Sequence, residues 1–548
     1  APAANANAEA ALDRLGLRAE DMLAAGKPAK HRLHALQLAS EADTFAAQDA
    51  ALADTLRERA AALAALPPPP LPTGLRATLR PYQEEGFHFL AHLAARGFGG
   101  ILADDMGLGK TVQTLAWLLH QSHAHTALAA ADSTPDKKTK PFRALVICPK
   151  SVMHGWLTET ERFAPELAAE PFTPLLSYAT RMPGPENGPA ILVVNYAQLR
   201  LNTDWFQRHS WDAVILDEAQ FIKNPTSQTA AIARAIPAAH RIALTGTPIE
   251  NRLLDLWSLF AFAQPGLLGS QAGFRRQFPM EDPTSPARLR RRVRHFMLRR
   301  TKSQVAPELP PRTEDIILVD LDGEQRSLYD AELKRARAQL LGIETARALD
   351  AVRFNVLASL LRLRQICCHP ALVSDAHSEM PSAKLDALLE RLEELRDEGQ
   401  QVLVFSQFVS LLELIEPRLK SAGIDYLMLT GATENRGELV DQFQSDKTKT
   451  VFLLSLKAAG SGLNLTAASY VILCDPWWNP AVEAQAIDRT HRIGQTQPVV
   501  AYRLVAADTV EQKILALQKD KAALANAVVQ EESLASVLDL DSLRQILG

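Results

Sequence analysis

Short apolar runs, each ending in a polar or glycine-rich motif, recur along most of this chain. Gly100-Ile101-Leu102-Ala103 leads into Asp104–Gln113. Ala144–Cys148 ends at Pro149-Lys150-Ser151, Ile191–Val194 at Asn195-Tyr196, Val214–Leu216 at Asp217-Glu218-Ala219-Gln220, and Ile242–Leu244 at Thr245-Gly246-Thr247-Pro248. Further on, Val402–Phe405 ends at Ser406-Gln407, Met428-Leu429 at Thr430-Gly431, Val451–Leu454 at Ser455-Leu456-Lys457, and Val471–Leu473 precedes Asp475-Pro476-Trp477-Trp478-Asn479-Pro480. Unbroken apolar runs with helical patterns between them mark strands buried on both faces of a parallel sheet. Two such series flank a helical stretch over residues 323–370. They predict an α/β chain with two tandem parallel-sheet lobes. The polar motifs fall at the carboxyl ends of the strands, where such sheets bind ligands.

The rest of the pattern sets boundaries. Residues 1–66 are Ala-rich with Leu52, Leu56, Leu63 and Leu66 at helical spacing, which predicts a helical N-terminal appendage. Pro67–Pro70, Pro72 and Gly74 make residues 67–74 a stiff linker. The first lobe is expected over 75–310, a helical protrusion and lobe junction over 311–380, the second lobe over 381–520, and a helical tail over 521–548. Residues 121–141 read as a surface insertion.

Composition narrows the class. The 548 residues are 47% apolar and 22% charged, enough for sizeable cores and against general disorder. The net charge of −4 gives no global basic signature, so a nucleic-acid surface must be local. Cys148, Cys367, Cys368 and Cys474 lack the paired spacing of a zinc site. A reducing cytosol fits them, and no stretch is long and apolar enough to span a membrane. The chain begins Ala-Pro-Ala, and we expect further sequence upstream.

The order strand, glycine loop, Lys-Thr, helix is the one that a phosphate-binding loop requires. In Asp105, Met106, Gly107, Leu108, Gly109, Lys110, Thr111 and Val112, the glycines let backbone N–H groups close on phosphate oxygens. The next helix adds its positive dipole end. Lys110 reaches the β/γ-phosphates of ATP and Thr111 ligates Mg²⁺. Asp104 stands where the longer form of this pattern has Gly. Asp217-Glu218 supplies the other half: an acid for Mg²⁺, and a neighbour to orient or deprotonate the attacking water. Gln83, upstream of the loop, can read the adenine edge.

The second lobe has no Lys-Thr loop of its own. It offers Arg489 and Arg492, expected one turn apart on a helix spanning Gln485–Gln495. Two guanidinium groups from a second lobe suggest arginine fingers, worth roughly 10³–10⁵ in rate. ATP would then favour a closed pair of lobes and hydrolysis would release it. The arginine-dense 288–302 segment allows phosphate contacts, pairing with acids at an interface, or a solvated helix face.

From Leu79 to Gln495 these motifs together resemble the motor of the Swi/Snf-type translocases, a branch of helicase superfamily two. Asp-Pro-Trp-Trp-Asn-Pro followed by Arg-Ile-Gly-Gln is highly specific. Leu298-Arg299-Arg300-Thr301-Lys302 and Leu363-Arg364-Gln365-Ile366-Cys367 match as well. The resemblance implies two RecA-like lobes with helical protrusions and ATP-driven tracking along duplex DNA without strand separation. It assigns adenine to Gln83, phosphate and Mg²⁺ to Lys110 and Thr111, Mg²⁺ and water to Asp217 and Glu218, and the fingers to Arg489 and Arg492. It makes Lys150, Ser151, Asn195, Ser406, Gln407, Thr430, Ser455 and Lys457 DNA-contacting or coupling positions. Trp477 and Trp478 lie where DNA is coupled to the lobes, by stacking on bases or by burial. Two departures stand out: Gln220 replaces a common His but still hydrogen-bonds, and Ala459 and Ser461 alter the usual Gly-rich loop.

The composition suggests a bacterial or archaeal member, and the resemblance implies a monomeric motor, expected in the cytoplasm in association with the nucleoid. Its expected partners are duplex DNA and DNA-bound proteins or RNA polymerase. Two other readings stay open: a strand-separating helicase, and an ATP-gated scaffold acting on RNA polymerase.

Overall fold

The computed structural model describes residues 67–131, 140–173, 189–246, 253–279, 282, 284–321, 323–340, 346–456, 463–477, 480–523 and 546–547. The expected appendage at 1–66, most of the tail, and Thr247, Lys457 and Trp478 lie outside them. The chain forms two compact units that divide between Pro307 and Glu308.

Unit 1 is a seven-stranded, wholly parallel sheet in the order β3-β4-β2-β5-β6-β1-β7. Its elements are α1 (Pro81–Ala94), β1 (Gly100–Leu102), α2 (Lys110–Ala131), β2 (Arg143–Cys148), α3 (Met153–Phe163), β3 (Ala168–Pro171), β4 (Ala190–Asn195), α4 (Tyr196–Leu201), α5 (Thr203–Arg208), β5 (Trp211–Leu216), α6 (Gln228–Ala235) and β6 (Ala238–Leu244). They continue with α7 (Leu253–Ala263), α8 (Gln271–Gln277), α9 (Ser285–Val293), β7 (Met297–Leu298) and α10 (Lys302–Val305). Both faces of the sheet are covered, which is why its strands read as unbroken apolar runs. Along β2, Leu145 and Ile147 enter one core while Ala144, Val146 and Cys148 enter the other. Residues 121–131, expected in a surface insertion, instead continue α2. Ala, Leu and Gln there are good helix formers, and no Gly or Pro stops them.

Unit 2 is a six-stranded parallel sheet in the order β10-β11-β9-β12-β13-β8. It comprises β8 (Arg312–Val319), α11 (Gly323–Leu340), α12 (Ala346–Cys368), α13 (Ala383–Asp397), β9 (Val402–Ser406), α14 (Val409–Ser421), β10 (Tyr426–Leu429), α15 (Arg436–Ser445), β11 (Val451–Ser455), β12 (Tyr470–Leu473), α16 (Pro480–Ile487), β13 (Val499–Ala506) and α17 (Val510–Ala523). The stretch from 311 thus opens with a strand: β8 pairs with β13 over its whole length as the sheet's edge. Among the described residues no helix is long and apolar enough to cross a membrane.

Candidate nucleotide site and strand-end motifs

In unit 1 the phosphate loop spans the turn from β1 to α2. Gly107 and Gly109 hold φ of +84° and +77°. A Cβ on Gly109 would also run into Gln83 Nε2, so both backbone and neighbour demand glycine there. Lys110 Nζ donates to the carbonyls of Asp104 (2.7 Å) and Asp105 (3.3 Å). The ammonium and the start of α2 therefore meet at the loop. Gln83 accepts from Arg80 N (3.0 Å) and donates to Leu108 O (3.2 Å); Tyr82 Oη donates to the same carbonyl (3.0 Å). Gln83 thus braces the loop with the amide that was expected to read adenine.

Asp104 is fully buried. Arg300 answers it, with Nε 3.0 Å from Oδ1 and Nη2 2.5 Å from Oδ2. The same guanidinium donates to Gln113 Oε1 (2.9 Å) and to Tyr82 O, and it lies over the Tyr82 ring. A Cβ on Gly86 would collide with Gln113 Oε1, so a small residue on α1 makes room for the cluster. The backbone around Arg300 runs alongside the loop: Ala103 N donates to Leu298 O (2.7 Å), Asp105 N to Arg300 O (3.0 Å) and Lys302 N to Asp105 Oδ2 (3.0 Å). Sequence reasoning missed this strap, which lies 196 residues from its partner. The available signal was an acid directly after an apolar strand, since a buried carboxylate needs a cation.

At the end of β5, Asp217 Oδ2 accepts from Trp156 Nε1 (2.8 Å) and Oδ1 from Glu218 N (2.9 Å). Burial, and then the adjacent Glu218 charge, raise the Asp217 carboxyl to about 6 against the opposing pull of Trp156 and Lys110. Glu218 sits in the left-handed region at φ 50°, a strained backbone of the kind found at functional sites. Gln220 donates to Glu218 Oε2 (2.9 Å) and accepts from Thr245 Oγ1 (3.3 Å), so the Gln that replaces His joins the acid pair to the end of β6. Tyr196 Oη donates to Asp217 O (2.8 Å).

Among the described residues no three His, Cys, Asp or Glu side chains gather to hold a metal. Asp217 and Thr111 carry the kind of oxygen donors that Mg²⁺ takes, one or two from protein with its shell completed by phosphate oxygens and water. A divalent cation would also relieve the like-charge strain of Asp217 and Glu218.

Lys150 is exposed and Ser151 half-buried beyond β2. Asn195 caps α4, accepting from Gln198 N (2.9 Å). In unit 2, Ser406 and Ser455 differ from expectation. Both are buried, and Ser406 Oγ donates to Asp475 Oδ1 (2.6 Å), so Ser406 holds the interior rather than a surface ligand. Gln407 and Thr430 remain half-buried. Gln407 Nε2 finds no acceptor among the described residues.

The residues after β12 are held one by one. Lys384 Nζ donates to Cys474 O (2.8 Å), Ser406 and Gln407 N bind Asp475, Arg364 donates to Pro476 O (2.6 Å), and Trp477 N donates to Glu483 Oε1 (2.7 Å). Trp477 is buried in the core.

Arg489 and Arg492 do not share a helix face. α16 ends at Ile487, and tight turns continue the chain through Arg489 N to Ala486 O and Thr490 N to Ile487 O. Gln495 Nε2 stabilises those turns by donating to Thr466 O, Ala468 O and Thr490 O. Arg489 is buried, and its carbonyl accepts from Leu465 N (3.0 Å). Arg492 is half-buried and donates to Leu463 O (2.8 Å). Both are pinned to the segment after β11.

Residues 82–372 match the family model described as the SNF2-related domain, and residues 383–494 the helicase conserved C-terminal domain. The chain belongs to the SNF2-related, helicase-like ATPases. This SNF2-related chain is 36% identical over 501 residues to the putative ATP-dependent helicase/translocase YwqA of Bacillus subtilis, a match that covers 88% of the chain and 52% of that relative. It is 34% identical over 473 residues to the human SWI/SNF-related matrix-associated actin-dependent regulator of chromatin subfamily A member 1, covering 83% of the chain and 44% of that protein. The chain therefore spans about half the length of the curated relatives it matches. Among solved structures it is similar to the Sulfolobus solfataricus SWI2/SNF2 ATPase core in complex with dsDNA, at 33% identity, covering 88% of this chain and 99% of that one, with a TM-score of 0.42.

Proposed function

We propose that this SNF2-related ATPase hydrolyses ATP while moving along double-stranded DNA, displacing or remodelling bound proteins without separating the strands. The observation that carries the reading is the hydrogen-bonded line from Glu218 through Gln220 to Thr245. It ties the acid beside the phosphate loop to the polar end of a neighbouring strand, as a coupled motor needs.

In this reading the loop N–H groups and Lys110 hold the phosphates, and Gln83 exchanges its bond to the loop for the adenine edge. Thr111 and Asp217 would hold Mg²⁺, which when bound neutralises charge on the β- and γ-oxygens. Glu218 orients and deprotonates the attacking water, and it is fixed by Gln220. Arg489 and Arg492 supply positive charge at the γ-phosphate when the lobes close. Lys150, Ser151, Asn195, Gln407 and Thr430, with Lys457 and Trp478, contact or sense the DNA backbone.

Two assays on one duplex test this. One reads displacement of a bound protein and the other loss of base pairing. ATP-dependent displacement with intact pairing is the expected result. Lost base pairing would instead make the chain a strand-separating helicase. Lys110→Ala should abolish displacement by weakening nucleotide binding, and a variant as active as wild type would remove Lys110 from the site.

A further inference from the structure

α9 divides its arginines between two faces. Arg288 lies 3.6 Å from Asp282 and over the Phe278 ring; Arg292 is buried over the same ring and donates to Gln277 Oε1 (2.9 Å). Leu289 and Val293 enter the core of unit 1, and so do Phe274 and Phe278 from α8 and its end. The helix is thus seated on a packed platform. Arg290, Arg291 and Arg294 point the other way and are exposed, as are Arg275 and Arg276 on α8. Among the described residues none of these five pairs with an acid. Arg294 donates instead to His295 Nε2 (3.0 Å), an imidazole whose pKa partial burial and then the Arg294 charge lower.

We infer that this outer face of α8 and α9 is a docking surface for the phosphate backbone of duplex nucleic acid, separate from the strand-end motifs. It rests on the duplex reading above and adds a second surface to it. Three features select the partner. The charge is concentrated on one face of a protein whose net charge is −4. Guanidinium groups suit phosphate geometry. Among the described residues, no large apolar side chain between Lys223 and Asp315 is exposed. A protein partner would want an apolar or aromatic anchor there, and a single strand would want rings for its bases to stack on. A duplex needs only the charges, and its contacts carry no sequence preference.

The test is binding of a short labelled duplex by the full chain across a salt series. R290A/R291A/R294A should bind about tenfold or more weakly and flatten log K against log salt by about 2–3, because each phosphate contact contributes about 0.9 to the slope. R290K/R291K/R294K keeps the charge and should recover the slope, which separates lost contacts from misfolding. Unchanged affinity and slope in the alanine variant, with wild type binding the duplex, would overturn this surface and leave the motor reading standing. A wild type that does not bind duplex at all would overturn both. Loss of poly-glutamate binding with duplex binding intact would reassign the face to an acidic protein.

Discussion

Asp104, Asp475 and Asp217 each come just past the end of an apolar strand, and they meet different fates. Asp104 and Asp475 are fully buried and answered by cations: Arg300 for the first, and Arg364 and Lys384, which pull against the effect of burial, for the second. Asp217 faces another acid, Glu218, whose repulsion adds to burial against the pull of the Trp156 bond and of Lys110. The first two are structural clamps, one bracing the phosphate loop and one fixing the turn before Trp477. The third carries like-charge strain with Glu218, which a divalent cation held as proposed would release. Position after a strand does not separate a clamp from a reactive group. The charge placed opposite the acid does.

The comparison breaks most visibly at Glu218. Glu218→Gln should lower ATP turnover by about 10²–10⁴-fold while nucleotide still binds. Turnover near wild type would make the acid pair as structural as Asp104. Next, Arg300→Ala leaves a buried carboxylate unpaired and should cost roughly 3–5 kcal/mol in denaturant unfolding. A loss below about 1 kcal/mol, the scale of a surface pair, would mean that Asp104 is not clamped. Smaller still, Ser406→Ala removes one bond to Asp475 and should cost about 1–3 kcal/mol without changing nucleotide affinity.

The smallest effect concerns pH. Because the folded Asp217 carboxyl is raised to about 6 from 3.8, its charged form is disfavoured by folding. The folded state takes up a proton below about pH 6 that the unfolded chain does not take up until near 3.8, so this group's stabilising contribution is present at low pH and is lost as pH rises through 6. If Asp217 holds Mg²⁺ as proposed, the metal requires the charged form. Mg²⁺-dependent nucleotide affinity should therefore fall about threefold to fourfold between about pH 7.5 and 5.5 through this group alone. Asp217→Asn should flatten that slope; the same slope in the variant would assign the titration to another group.

The strands that sequence revealed most plainly are those buried on both faces, such as β2, β5 and β11. The strands it did not reveal are mostly at the margins. β8 reads Arg-Thr-Glu-Asp before it turns apolar, because its outer positions face water at the sheet edge. β3, at one edge of the unit 1 sheet, carries Glu170 and Pro171, and β7, at its other edge, is two residues long. The candidate nucleotide site was legible where its residues are contiguous, as in the glycine loop and Asp217-Glu218. Arg300 was one arginine among many, and its role depends on a fold that brings a distant strap beside β1. The turns around Arg489 and Arg492 were hidden for the same reason: Gln495 bonds to Thr466 and Ala468, which sequence order keeps apart.

In the proposed function, ATP turnover is geared to duplex DNA. The most direct measurement is the ATPase rate of the chain alone and with single-stranded DNA, duplex DNA and duplex RNA. The expected result is a clear rise with duplex DNA, beyond that with the other two, lost in Glu218→Gln. Turnover that does not respond to duplex DNA, or that responds equally to single strands, would contradict it.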